Sequence, residues 1–436
     1  MKKLLATLVL FFGAAALAQQ SVSVTWMTGN VARDVEFARS VAQRYMDANP
    51  HTIGGQEYNV TINVLPGPES ATDRLGLYLQ YFQARSTEVD IFEIDVIWPG
   101  DLAEHLVNLY EYEGFEETAP TFFASIIENN TVDGALVGIP YFTDAGILYY
   151  RTDLLEKYGY DGPPETWTEL EEMARTIQEG ERGEGNPDFW GFVWQGNAYE
   201  GLTCDALEWI YAYNGGQIIE PDGTITVNNP NAVAAIEKAA GWVGTISPPG
   251  VTGFQEEDAR AVWQAGNAAF MRNWPYAYSL GQAEDSVIRD RFGVAPLPAG
   301  DVEGGRPAAT LGGWQLGVGA YSPNPAVAAD VALFITNYDN QLERALALSQ
   351  FPTIEAVYED PALLESDVAW LAELLPVFQN SVARPSTVTA PRYGEVSRLF
   401  FSAVHDVLTG QEDAETALAI LELDLQDLLG FPTGQP

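Results

Sequence analysis

Ser21-Val-Ser-Val-Thr-Trp26 alternates polar and apolar residues, with Val22, Val24 and Trp26 on one face. A period of two in a β-branched run predicts a half-buried strand. Asn30 stands where it can cap a following helix, in which Val31, Val35, Ala38, Ala42 and Tyr45 recur at helical spacing until Asn49-Pro50 ends it. Asn59–Val64 alternates again, Leu75, Leu79 and Phe82 mark a second amphipathic helix, and Val89–Ile94 reads as a short apolar strand. Strand, helix, strand, helix, strand predicts an α/β sheet with helices on its faces.

Further along, Thr166 with Glu169 predicts a capping box, and Asn229-Pro230 and Asn324-Pro325 each place a cap before a first-turn proline. Gly410 suits the C-terminal stop of a helix around Val396–Leu408, and Glu412–Leu429 is acidic and Leu-rich at helical spacing. Short strands recur at Phe189–Trp194, Phe292–Ala295 and Gln315–Val318. No low-complexity tether separates two halves, so the chain is expected to pass between lobes more than once.

The first residues predict the compartment. Met1-Lys2-Lys3, an apolar run from Leu4 to Leu17 and Ala16-Leu17-Ala18 before Gln19 form a basic, apolar and small-residue series. Such a series is a cleaved secretory signal, and ~14 apolar residues are too few to span a bilayer. No cysteine follows the expected cleavage point, so no lipid anchor is expected. The mature chain should be soluble outside the cytoplasm, in a periplasm. Its length exceeds what one core organises, and two lobes are the natural expectation.

The chain has 436 residues and a net charge of −40, which repels nucleic acid and anionic lipid. Its single cysteine, Cys204, cannot form an intramolecular disulfide. The three histidines, His51, His105 and His405, lie far apart, with no metal-ligand spacing. Neither a metal nor another cofactor is expected.

What remains is a set of aromatic-and-acid clusters: Asp95–Trp98, Phe142–Asp144, Asn273–Tyr276 and Gly312–Trp314, with Arg384 between Ala383 and Pro385. Apolar ring faces beside carboxylates suit a sugar, whose C–H faces stack on aromatics and whose hydroxyls bond to acids and guanidinium. Asp95 follows a predicted strand end, where an α/β sheet presents side chains to its crevice, yet a plain helix cap would read the same way. Trp274 and Tyr276 project from a loop stiffened by Pro275, and Trp314 follows Gly312-Gly313, where backbone can approach a ligand closely. Each Trp could equally be a core aromatic. Asp144 has a turn residue as its plainer role, Arg384 a structural ion pair, and Asp34, Glu36 and Arg74 a solvated helix face.

The chain resembles the trehalose/maltose-binding proteins of ABC sugar importers, within the maltose-type extracellular solute-binding family. The resemblance rests on Asp144–Tyr160, Phe189–Gly196, Tyr199-Glu-Gly-Leu202, Gly266–Phe270, Arg272-Asn-Trp-Pro-Tyr276, Gly293–Pro298 and Thr310-Leu-Gly-Gly-Trp314, in that order behind the signal segment. It implies a two-lobed periplasmic-binding-protein fold of type II with a three-crossing hinge. The implied division is 1–18 signal peptide, 19–143 plus 301–342 first lobe, and 144–300 plus 343–436 second lobe. It implies a monomeric receptor, not an enzyme, that hands an α-linked disaccharide to membrane permease subunits.

Carried onto this chain, the resemblance makes Asp95 and Asp144 hydroxyl acceptors and Trp274, Tyr276 and Trp314 the stacking aromatics. Arg384 and Arg74 become donors, Asp34 or Glu36 the helix-start acid, and Gly313 a backbone contact. Phe142 is a departure, since relatives often carry Tyr there. A secreted glycoside hydrolase, or the same receptor with another sugar or a polyol, is the competing expectation.

Overall fold

A computed structural model describes residues 20–31 and 33–436. The expected signal peptide, 1–18, lies outside the described residues. A six-stranded sheet runs in the order His51–Ile53, Gln56–Pro66, Gln20–Thr28, Ile91–Asp95, Leu311–Val318, Ile139–Ala145. The strand read from Ser21–Trp26 pairs in parallel with Gln56–Pro66 and Ile91–Asp95, as helical crossovers require. Leu311–Val318 returns from far along the chain and inserts antiparallel between Ile91–Asp95 and Ile139–Ala145. A second sheet has the order Phe292–Ala295, Ile147–Arg151, Ala268–Asn273, Trp190–Val193.

Among the described residues the chain passes between the sheets three times. The first passage is at Gly146, between Ile139–Ala145 of one sheet and Ile147–Arg151 of the other. A Cβ there would lie 2.0 Å from Glu208 Oε1, so only glycine fits. The second passage joins Phe292–Ala295 to Leu311–Val318. The third lies between Phe378, which packs with Val24, Trp26 and Val41 in the core of the first sheet, and Val382, which sits in the core of the second.

That third passage moves an expected boundary. Residues 343–436 were expected in the second lobe, but Ala345, Leu348, Phe351, Leu363, Leu371 and Phe378 pack with Val24, Trp26 and Val41. Only from Val382 onward, with Val396, Phe400 and Leu421, does the chain join the core of Trp194, Leu202 and Ile236. Apolar periodicity reports that a helix has a buried face but not which core buries it.

Local details also differ. The first helix is Asp34–Asp47, and Arg33, not Asn30, occupies its cap position. The second helix, Ala71–Gln83, buries Arg74, Tyr78 and Phe82, whereas Leu79 is exposed. The buried stripe is shifted because Glu93 neutralises Arg74 inside the fold, at 3.2 Å. Thr166 accepts from Glu169 N–H at 3.2 Å, but the Glu169 carboxylate takes the N–H of Glu165 rather than of Thr166. Asn229 caps through its side chain, while Asn324 holds the cap position without a side-chain bond. Gly410, at φ +72°, follows the helix Tyr393–Leu408 as expected.

Candidate functional site

Between the lobes lies a cavity of about 180 Å³, lined from both sides. The first sheet builds one wall by register. Trp314 is the direct partner of Asp95 on one neighbouring strand and of Phe142 on the other, and Gly312 is the partner of Asp144. Directly opposed residues share a face of a sheet, so clusters far apart in sequence, Asp95 and Phe142–Asp144 against Gly312–Trp314, converge on one surface. A bulge between Trp314 and Gln315 ends this regular pairing.

The paired glycines serve contacts within the protein. A Cβ on Gly313, whose φ is +126°, would lie 2.7 Å from Thr143 Cα on the adjacent strand. A Cβ on Gly312 would lie 2.9 Å from Trp274 Cζ3, which reaches over from the second lobe. The close approach expected for a ligand is thus first an approach of strand to strand and of lobe to lobe. Gly313 still lines the cavity.

Each half-buried indole rests on a buried guanidinium. Arg74 lies 4.1 Å from the Trp314 ring centroid and is paired to Glu93. Arg272 lies 4.0 Å from the Trp274 ring and is held by Asp205 at 3.0 Å and Glu208 at 2.5 Å. Trp98 meets Trp314 edge to face at 5.5 Å and is itself buried in the first lobe, so it supports the platform and does not line the cavity. The Trp274 indole N–H donates to Glu256 at 3.2 Å and Tyr276 Oη to Glu257 at 2.7 Å.

The acids divide sharply. Asp34 lines the cavity and pairs with Arg344 at 3.2 Å, whereas Glu36 is exposed on the same helix and lines nothing there. Of the two helix-start acids, only Asp34 is in the site, and Glu36 has the solvated role. Burial pushes Asp34 up to about 6, against the pull of Arg344. Burial likewise pushes Asp95 up to about 6, against the pull of Arg384. Asp144 is held well above the usual carboxylate range by burial and then by the charge of Asp34. Its Oδ1 is buried without a hydrogen-bond partner among the described residues, as is Nε of Arg384. Two unpartnered polar atoms in residues lining one cavity are what a polar ligand would satisfy.

Tyr199, Glu93, Glu200, Glu256 and Glu257 also line the cavity and were missed as site residues. Glu200 was visible only within the quoted Tyr199-Glu-Gly-Leu202. Glu256 and Glu257 look like ordinary first-turn helix acids. Glu93 sits in an apolar strand, where an acid is itself the signal of a buried partner.

The model of the bacterial extracellular solute-binding protein family matches residues 33–342. A Deinococcus radiodurans protein described as a probable ABC transporter-binding protein is 47% identical over 431 residues, 99% of each chain. The solved structure of maltose-bound MalE3 from T. maritima is 40% identical, with a TM-score of 0.86 over 93% of this chain and 100% of that one. A Thermotoga lettingae ABC transporter solute-binding protein bound with α-D-tagatose is 24% identical, has a TM-score of 0.80 over 94% of this chain and 100% of its own, and shows the same two-lobed α/β fold.

Proposed function

The chain belongs to the bacterial extracellular solute-binding protein family, and we propose that it is the sugar receptor of an ABC importer, taking an α-linked disaccharide such as trehalose or maltose between its lobes. Sucrose and palatinose are the further candidates. The carrying observation is the pair of indoles, Trp314 on one lobe and Trp274 on the other, each backed by a guanidinium and facing a carboxylate-edged cavity. Covering ~80 Å² of sugar C–H face contributes about 2 kcal/mol per platform. The maltose bound to the 40% identical relative supports the same ligand class.

In this reading Asp95 and Asp144 accept ring hydroxyls and Arg384 donates to them. Arg74 and Asp34 hold the first-lobe wall, and Phe142 and Tyr276 close the sides. A ligand touching both lobes favours the closed arrangement by its differential contacts, and the closed monomer is what the permease subunits receive. Export by the segment 1–18 places the receptor outside the cytoplasmic membrane.

Calorimetric titration with trehalose, maltose, sucrose, palatinose and glucose tests the proposal, with recovery of the sugar afterwards. One-to-one binding with intact disaccharide is the expected result. Cleavage would establish the hydrolase, and binding of none of them would end the disaccharide reading.

A further inference from the structure

We infer that the cleft selects its ligand by charge: it takes uncharged sugars, takes amine-bearing sugars more tightly, and turns away sugar phosphates and uronates. This rests on the receptor reading above and narrows it. Nine carboxylates and two guanidiniums line the cavity. Both guanidiniums are already neutralised, Arg74 by Glu93 and Arg384 by Asp95 and Glu200. The two guanidiniums behind the walls are committed as well, Arg344 to Asp34 and Arg272 to Asp205 and Glu208. A phosphate or carboxylate on the ligand would be buried opposite no uncommitted cation among the described residues. Burying such a charge is strongly unfavourable.

The opposite holds for an amine. Asp144 is 7% exposed, faces the cavity, has no partner on Oδ1 and no cation within ion-pair distance among the described residues. Its lone negative charge needs either a proton or a cation. Among the described residues Glu256 is held by neutral donors, Tyr199 Oη at 2.6 Å and the Trp274 indole N–H at 3.2 Å. A ring ammonium placed against either carboxylate gains a charge-assisted hydrogen bond where a hydroxyl gains a neutral-donor one. The low-dielectric protein behind these walls focuses the negative potential into the cleft.

The test is calorimetric titration of the mature protein with trehalose and maltose, each of their single amino-deoxy isomers, their phosphates and their uronates. The phosphates and uronates should bind at least about tenfold more weakly than the parent sugar, and at least one amine isomer about tenfold more tightly. In Asp144→Asn that amine advantage should vanish. A phosphate or uronate that binds as well as the parent overturns the charge filter and leaves the receptor reading standing. So does an amine series in which no isomer exceeds the parent, or an advantage that survives in Asp144→Asn. If neither neutral parent binds, the receptor reading fails and the filter fails with it.

Discussion

Asp95 on the first lobe and Glu200 on the second hold opposite ends of one guanidinium. Arg384 Nη2 lies 3.2 Å from Asp95 Oδ1, and its Nη1 lies 2.8 Å from Glu200 Oε1. Glu200 also accepts from Tyr393 Oη and Ser397 Oγ, both at 2.5 Å, and its backbone N–H donates to Thr72 Oγ1 of the first lobe at 3.2 Å. The lobes therefore meet at a buried, charged junction beside the cavity, where low polarity strengthens each contact.

Glu200→Gln keeps the shape of this junction and removes its second-lobe charge. It should weaken disaccharide affinity by roughly tenfold, about 1.4 kcal/mol, and reduce ligand-induced compaction in small-angle scattering. Unchanged affinity and compaction would mean that the lobes close independently of the junction.

Trp274→Ala and Trp314→Ala should each lower affinity by about 2 kcal/mol or more, because each strips one stacking platform. Trp98→Ala should act differently. It opens a core cavity under Trp314 and should cost about 3–5 kcal/mol of stability, read as a fall in denaturation midpoint. Equal effects on stability from all three would contradict the separation of platform from support.

Asp34 and Glu36 provide an internal control, two positions apart on one helix. Glu36→Gln should leave affinity and stability within about 0.5 kcal/mol of the parent, as exposed substitutions do. Asp34→Asn removes the carboxylate that lines the cavity beside Arg344 and should weaken sugar affinity by about 1–2 kcal/mol. Calorimetric titration of both variants reads the difference.

The pH dependence follows from acids whose folded pKa is raised. Asp34 and Asp95 titrate at about 6 in the fold against an ordinary 3.8, and burial holds Asp144 well above that ordinary value. Between those values the folded chain holds protons that the unfolded chain has released. Stability of the unliganded protein is therefore greatest below the ordinary value and is lost as pH rises through the folded one. Melting temperature should climb as pH falls from about 7 towards about 4. Hydroxyl donors on a ligand favour the ionised carboxylates, so affinity should move the other way, weakening as pH falls through about 6. A melting temperature that falls steadily over that interval would refute the raised values.

Gly313 tests the sheet that carries the site. Gly313→Ala forces a Cβ onto a backbone at φ +126° and against Thr143 Cα at 2.7 Å. It should destabilise by about 1–3 kcal/mol and shift Trp314, weakening binding as well. A calorimetric scan and a titration of the same sample read both effects.

The α/β class was legible from residues 21–94, because alternation of side chains along a strand and recurrence along a helix are local properties of the backbone. So were the clusters holding Asp95, Asp144, Trp274 and Trp314, whose residue types announce sugar chemistry wherever they meet. The antiparallel insertion of Leu311–Val318 was not legible, and it alone sets Trp314 between Asp95 and Phe142. Nor was the membership of residues 343–378 in the first core, or the choice of Asp34 over Glu36. Glu93, Glu200 and Glu256 look like any other acids until a partner is placed against them. Local pattern encodes which face of an element turns inward. Which other element it meets, and therefore which charges are buried and paired, depends on contacts between residues hundreds of positions apart, and only the folded chain makes those.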